Sequence, residues 1–172
     1  MVVGVDCSPG SLEALRYALG QARRLEATLI PVRAWQVPGG EVPTRRAAAP
    51  GYTRMLREMA EQELRRAFEE GLGGLPLDVP TEPWLIRGPA GPALVETADR
   101  ASDLLVVGAG RRGRLRHPLH ASTARYCLAH AACPVIAVPP PSLQAELFSP
   151  HRLRASTDRL ARELTSSAQP RS

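Results

Sequence analysis

The stretch from Asp103 to Pro139, DLLVVGAGRRGRLRHPLHASTARYCLAHAACPVIAVP, admits few folds. Its apolar run, Leu104 to Val107, stops at Gly108, and a short uninterrupted run bounded by a turn residue reads as a strand buried on both faces of a parallel sheet. A glycine- and arginine-rich loop follows to His120, and a helical stretch begins at Ser122 and continues to about Ala131. Cys133-Pro134 ends that helix, and Val135 to Val138 reads as a further strand. Strand, glycine loop and helix N-terminus together aim backbone N–H groups at an anion. No acidic residue lies between Asp103 and Glu146, whereas Arg111, Arg112, Arg114, Arg116 and Arg125 all do, so negative charge is drawn here first.

The rest of the chain repeats the alternation. Met1 to Asp6 is a buried strand, and Ser8-Pro9 fits an N-cap with proline at the first helical position. Leu12, Leu15, Leu19, Ala22 and Leu25 recur at spacings of three and four, as an amphipathic helix requires. Ala27 to Trp35 gives a second strand, and Gln36 to Thr53 a long loop. A second helix is expected from about Arg54 to Glu70, with Met55, Met59, Leu64, Ala67 and Phe68 inward and Gly71 as its stop. Asp78 to Arg87 reads as a third strand, placed at a sheet edge because Pro80 and Pro83 cannot donate to a ladder. Gly88 to Pro92 turns the chain into a third helix over roughly Ala90 to Arg100. Alternating strands and helices specify a doubly wound parallel sheet, in which ligands bind beyond the carboxyl ends of the strands where strand order reverses. With the first and fourth strands adjacent there, Asp6, Ala34 and the Gly108 loop share one crevice. One domain, residues 1–139, is expected, followed by a polar, arginine-rich extension, 140–172, with a weak apolar stripe at Leu153, Leu160 and Leu164. That extension reads as a solvated tail or as a helix for a protein partner or for self-association.

Several function classes drop out. The net charge of +5 comes wholly from arginine, and the chain has neither lysine nor asparagine, which points to coding bias. With no basic face interleaved with aromatics, nucleic-acid binding is not expected. Cys7, Cys127 and Cys133 are odd in number and lack metal-ligand spacing, and His117, His120 and Cys127 read as loop and packing residues. With no signal peptide and no apolar run long enough to span a bilayer, a reducing cytoplasm is the expected compartment. Gly108, Gly110 and Gly113 match a dinucleotide-binding fingerprint, but the acidic residue that should follow about twenty positions on is missing, so NAD is rejected. No nucleophile is paired with a base, and only Asp6 is placed in the crevice, so an enzyme is not expected.

The residues also resemble a known family. VVGVDCSPGSLEALRYA, IRGPAGPALVETA and DLLVVGAG with AST and AACPVIAV are similar to the opening, central and closing patterns of the universal stress protein family, over residues 1–139. The resemblance implies a five-stranded parallel sheet of order 3-2-1-4-5 with helices on both faces, the arrangement called adenine nucleotide alpha hydrolase-like. It also implies a role in stress response, dimers formed through the last strand (Val135–Val138 here), and ATP binding in a subset of members. That subset carries Gly, two residues, Gly, nine residues, then Gly-Ser or Gly-Thr. Laid on this chain, Gly108 and Ser122 match, while Arg111 and Ala121 stand where glycines are used. The site residues so implied are Asp6, Ala34, Gly108, Gly110, Arg111, Arg112, Gly113, Ser122 and Thr123. Arg111 either fills the space of a triphosphate or supplies a charge-assisted contact to a smaller anion. The first outcome gives a stress-response binding or signalling module with weakened or absent ATP binding, and the second a working ATP-, AMP- or anion-binding sensor built on the Gly108–Ser122 loop.

Overall fold

The computed structural model describes residues 1–37, 50–109 and 123–141. Val2 and Val3 show how the sheet is built. Adjacent residues of a strand point to opposite faces, and both valines are fully buried, each in a different core. Strands β1 (Val2–Gly4), β2 (Ile30–Trp35), β3 (Trp84–Arg87), β4 (Leu105–Gly108) and β5 (Val135–Val138) form one sheet of order β3-β2-β1-β4-β5, parallel throughout. One face packs on helices α1 (Pro9–Leu25) and α2 (Pro50–Leu72), where Val3, Val106, Leu15, Leu64 and Phe68 meet. The other packs on α3 (Ala90–Thr97) and α4 (Thr123–His130), where Val2, Val32, Leu94, Leu105 and Cys127 meet. The doubly wound sheet and its 3-2-1-4-5 order are thus as expected, and β5 spans the residues read from the sequence.

Strand β3 lies at the sheet edge, as expected. The Leu29 N–H donates to the Pro80 carbonyl at 2.8 Å and the Glu82 N–H to the Leu29 carbonyl at 2.9 Å, but the next donor in that alternation would be Pro31 of β2, which has no N–H to offer the Glu82 carbonyl. Regular pairing therefore resumes only at Trp84, and the strand is shorter than the expected Asp78–Arg87.

Helix α1 starts at its Ser8 cap, whose side chain accepts the Ser11 N–H, and ends at Glu26 in the left-handed region at φ 50°. Helix α2 departs from expectation in two ways. It runs past Gly71 to Leu72 and is closed by Gly73 at φ 75°, with the Gly74 N–H donating back to the Phe68 carbonyl. The Gly73 N–H donates to the Glu69 carbonyl at 3.0 Å, the return bond of the αL closure. Arg16 adds a cation there, donating from Nε to the Gly71 carbonyl at 2.8 Å and from Nη2 to the Glu70 carbonyl at 3.1 Å. Second, Met55 and Met59 do not face inward but lie exposed, whereas Leu64, Ala67 and Phe68 are buried as expected. The sheet and α1 support only the carboxyl-terminal part of α2, so the helical period continues beyond the surface it could pack on.

Candidate functional site

Strand β1 is the shortest of the five, and the site exists because of that. It pairs with β2 only as far as Gly4 opposite Val32, with a last bond from the Val5 N–H to the Val32 carbonyl. Beyond it β2 and β4 run on, to Trp35 and Gly108, so a gap opens at the carboxyl edge between them. This is the point at which the sheet's winding reverses, where doubly wound folds take their ligands. The resulting crevice is about 180 Å³, and its lining includes Asp6, Ser11, Ala34, Leu94, Gly108 and Thr123.

The turn leaving β1 is held by a small hydrogen-bond network. Asp6 Oδ1 accepts the Ser8 N–H at 2.7 Å, an Asx-type turn. The Asp6 N–H donates to Ser11 Oγ at 2.8 Å, and Ser11 Oγ donates in turn to the Gly4 carbonyl at 3.2 Å. One hydroxyl thereby ties the last residue of β1 to the first turn of α1, and Ser11 is the buried polar side chain of the described core. The exposed Asp6 carboxylate is presented at the crevice rim, not used as the helix cap, which is Ser8. Gly108 closes the opposite side. A Cβ on it would lie 2.8 Å from the Gly10 carbonyl carbon and 2.9 Å from its oxygen, so a residue without a side chain is required for β4 to end against α1.

Arg33 supplies the described crevice with its cation. Its Nε donates to Glu63 at 2.9 Å, its Nη2 pairs with the same carboxylate, and its Nη1 donates to the Ala34 carbonyl at 3.2 Å. Cys7 lies behind this pair, its Sγ 3.6 Å from the Glu63 carbonyl, and burial together with the nearby Glu63 carboxylate pushes its thiol up. A thiol raised in this way is a poor nucleophile at neutral pH. Among the described residues no group of three or more His, Cys, Asp or Glu side chains could hold a metal ion, and no helix is long and apolar enough to cross a membrane.

Of the residues expected at the site, Asp6, Ala34, Gly108 and Thr123 line this one crevice. Gly110, Arg111, Arg112, Gly113 and Ser122 lie outside the described residues, as does the extension 142–172. The segment 110–122 nonetheless begins and ends at the rim, because Gly108 and Thr123 both belong to it. Most of the other lining residues were not expected, among them Ser11, Arg33 and Leu94. Ser11 looks like an ordinary first-turn serine, although its position three residues after a serine cap was a usable signal. Arg33 and Leu94 carried no signal, since their place depends on where β1 stops.

A parallel sheet of this order with a crevice at the β1–β4 switch point defines a doubly wound α/β domain with an opening where such folds take their ligands. The model of the universal stress protein family matches residues 1–139, and the chain belongs to that family. No curated protein matches the chain in sequence. Among solved structures, universal stress protein UspA from Lactobacillus plantarum is 20% identical with a TM-score of 0.54, over 80% of this chain and 94% of that one. A universal stress protein in complex with cAMP is 26% identical with a TM-score of 0.52, over 81% and 95%. A universal stress protein family protein from Arabidopsis thaliana with AMP bound is 18% identical with a TM-score of 0.52, over 83% and 92%.

Proposed function

We propose that this chain is a non-enzymatic binding module of the universal stress type, whose crevice takes an adenine nucleotide carrying a single phosphate in preference to ATP. The observation that supports the reading is the crevice itself, whose lining brings Asp6, Ala34, Gly108 and Thr123 together; on this reading Asp6 and Ala34 meet the nucleoside, and Gly108 and Thr123 the phosphate. The N-terminus of α4 opens on it, and helix N-termini favour anions. Its described volume of about 180 Å³ is below the roughly 300–1,000 Å³ of complete small-molecule sites. Arg111 and Ala121 replace two glycines of the ATP-binding pattern, which argues against a triphosphate and for a shorter anion met by arginine. The universal stress protein solved with cAMP, 26% identical, supports the same ligand class.

The module works as a homodimer in the cytoplasm. Edge strand β5 has Ala137 exposed and Val135 and Ile136 half-buried, an apolar edge that a second copy would cover.

Thermal-shift titration tests the ligand, because anything that binds the native state raises its melting temperature by mass action, about 2.7 kcal/mol at a hundredfold excess over Kd. AMP and cAMP at millimolar concentration should raise the melting point, ATP should raise it less, and Asp6→Ala should remove the response. No shift with any nucleotide or with phosphate would instead favour a silent crevice in a domain acting through dimerisation and protein partners.

A further inference from the structure

The first turns of α2 stand clear of the sheet. Glu63 is level with the carboxyl ends of β1 and β2, through its carbonyl on Cys7 and its carboxylate on Arg33. At 1.5 Å per residue the helix extends up to roughly 20 Å on the amino-terminal side of Glu63, and before buried Ala60 only Thr53 and Leu56 are half-buried. On this overhang Tyr52, Met55 and Met59 are 40%, 46% and 48% exposed. Their spacings of three and four put them on one face, beside half-buried Leu56. Ion pairs Arg54–Glu58 and Glu61–Arg65 occupy the rest of the surface, so the apolar face is a discrete patch. Methionines suit such a patch, since an unbranched thioether adapts to whatever it meets.

The chain leaves the domain at the same end. β5 finishes at Val138, and Pro140 comes within 3.9 Å of the Cβ position of Gly10, in the first turn of α1. The carboxyl-terminal residues 142–172 lie beyond the match to the family, and their sequence holds Leu143, Leu147, Phe148, Leu153, Leu160 and Leu164. The other segments leaving this edge are poorer in large apolar residues: 38–49 has Val42, and 110–122 has Leu115 and Leu119.

We propose that residues 142–172 dock on the Tyr52–Met55–Met59 face of α2 in the same chain. An extended chain covers ~3.3 Å per residue, so Leu153 can reach ~40 Å from Pro141, well past the overhang. Three exposed side chains fall far short of the ~800 Å² per partner that a free-standing interface buries. A tethered segment needs less, because its effective concentration is in the millimolar range. The proposal is independent of which nucleotide the crevice takes.

A photo-crosslinker tests it in the full chain. Benzophenone-bearing phenylalanine in place of Met55, an exposed position whose change leaves the core intact, should form adducts with peptides from 142–172. In a mixture of isotopically light and heavy chains, those adducts should join residues of one chain only. Leu160→Arg with Leu164→Arg should abolish them. Light-to-heavy adducts would assign the face to a second copy and overturn the proposal. Adducts confined to 38–49 or 110–122, adducts that survive the double substitution, or no adducts at all would overturn it equally.

Discussion

Gly108 at the end of β4 rests directly on Gly10 at the start of α1, with space for a hydrogen between them but none for a methyl group. Two glycines far apart in the sequence thereby set the width of the crevice between β1 and β4. Gly108→Ala should force the backbones apart, at a cost of about 1–3 kcal/mol from overpacking. Chemical denaturation should show the loss, and nucleotide-induced stabilisation should fall with it. A Gly108→Ala protein as stable and as responsive as the parent would contradict this geometry.

Ser11 should matter more than a first-turn serine ordinarily does. Ser11→Ala leaves the Asp6 N–H without its acceptor and the Gly4 carbonyl without its donor, in a buried place. Unmet buried hydrogen bonds cost about 1–3 kcal/mol each. Because the same hydroxyl sets the Asp6 turn, we expect ligand affinity to drop even under conditions where the protein stays fully folded. Calorimetric titration at low temperature separates the two effects.

Helices α3 and α4 meet at Gly91. A Cβ there would come within 2.6 Å of the Tyr126 ring, which is itself stacked on His130 at 4.2 Å between centroids. Gly91→Ala should destabilise by about 1–2 kcal/mol, and the penalty should shrink in a Tyr126→Ala background, since the two nearest ring carbons are then gone and only the Cβ at 3.0 Å remains. Equal penalties in both backgrounds would place the strain elsewhere.

The buried thiols predict a dependence on alkaline pH. Burial pushes the Cys127 thiol from an ordinary value of 9.0 up to about 11. The folded state therefore holds that proton more tightly than the unfolded chain does. The contribution is fully present below pH 9 and is lost as pH rises through 11, by about 2 kcal/mol. Cys127→Ala should flatten this limb of the stability curve relative to the parent. In thiol labelling at pH 8, Cys7 should react first, and Cys127 and Cys133 only on unfolding, because both are buried.

How much of this was legible depends on what each residue's environment requires. The strands could be read because residues such as Leu105 to Val107 sit in a parallel sheet covered on both sides, where an unbroken apolar run has few alternatives. The edge place of β3 was legible from Pro80 and Pro83, whose missing N–H groups act locally. Met55 and Met59 were misplaced because helical periodicity reports which face a residue shares, not whether anything lies opposite that face. Asp6 and Ala34 were placed in the crevice by reasoning about the switch point. Arg33 and Leu94 were not, because their exposure to the crevice follows from β1 ending at Gly4, which no local pattern in Val2 to Asp6 announces.

Thirteen positions, 110–122, are strung between two anchors on the crevice rim, and neither anchor depends on what those positions are. Gly108 is held by the sheet and by Gly10, and Thr123 by the helix it begins. Descendants of such a protein can therefore rewrite the intervening residues while inheriting an unaltered scaffold at either end.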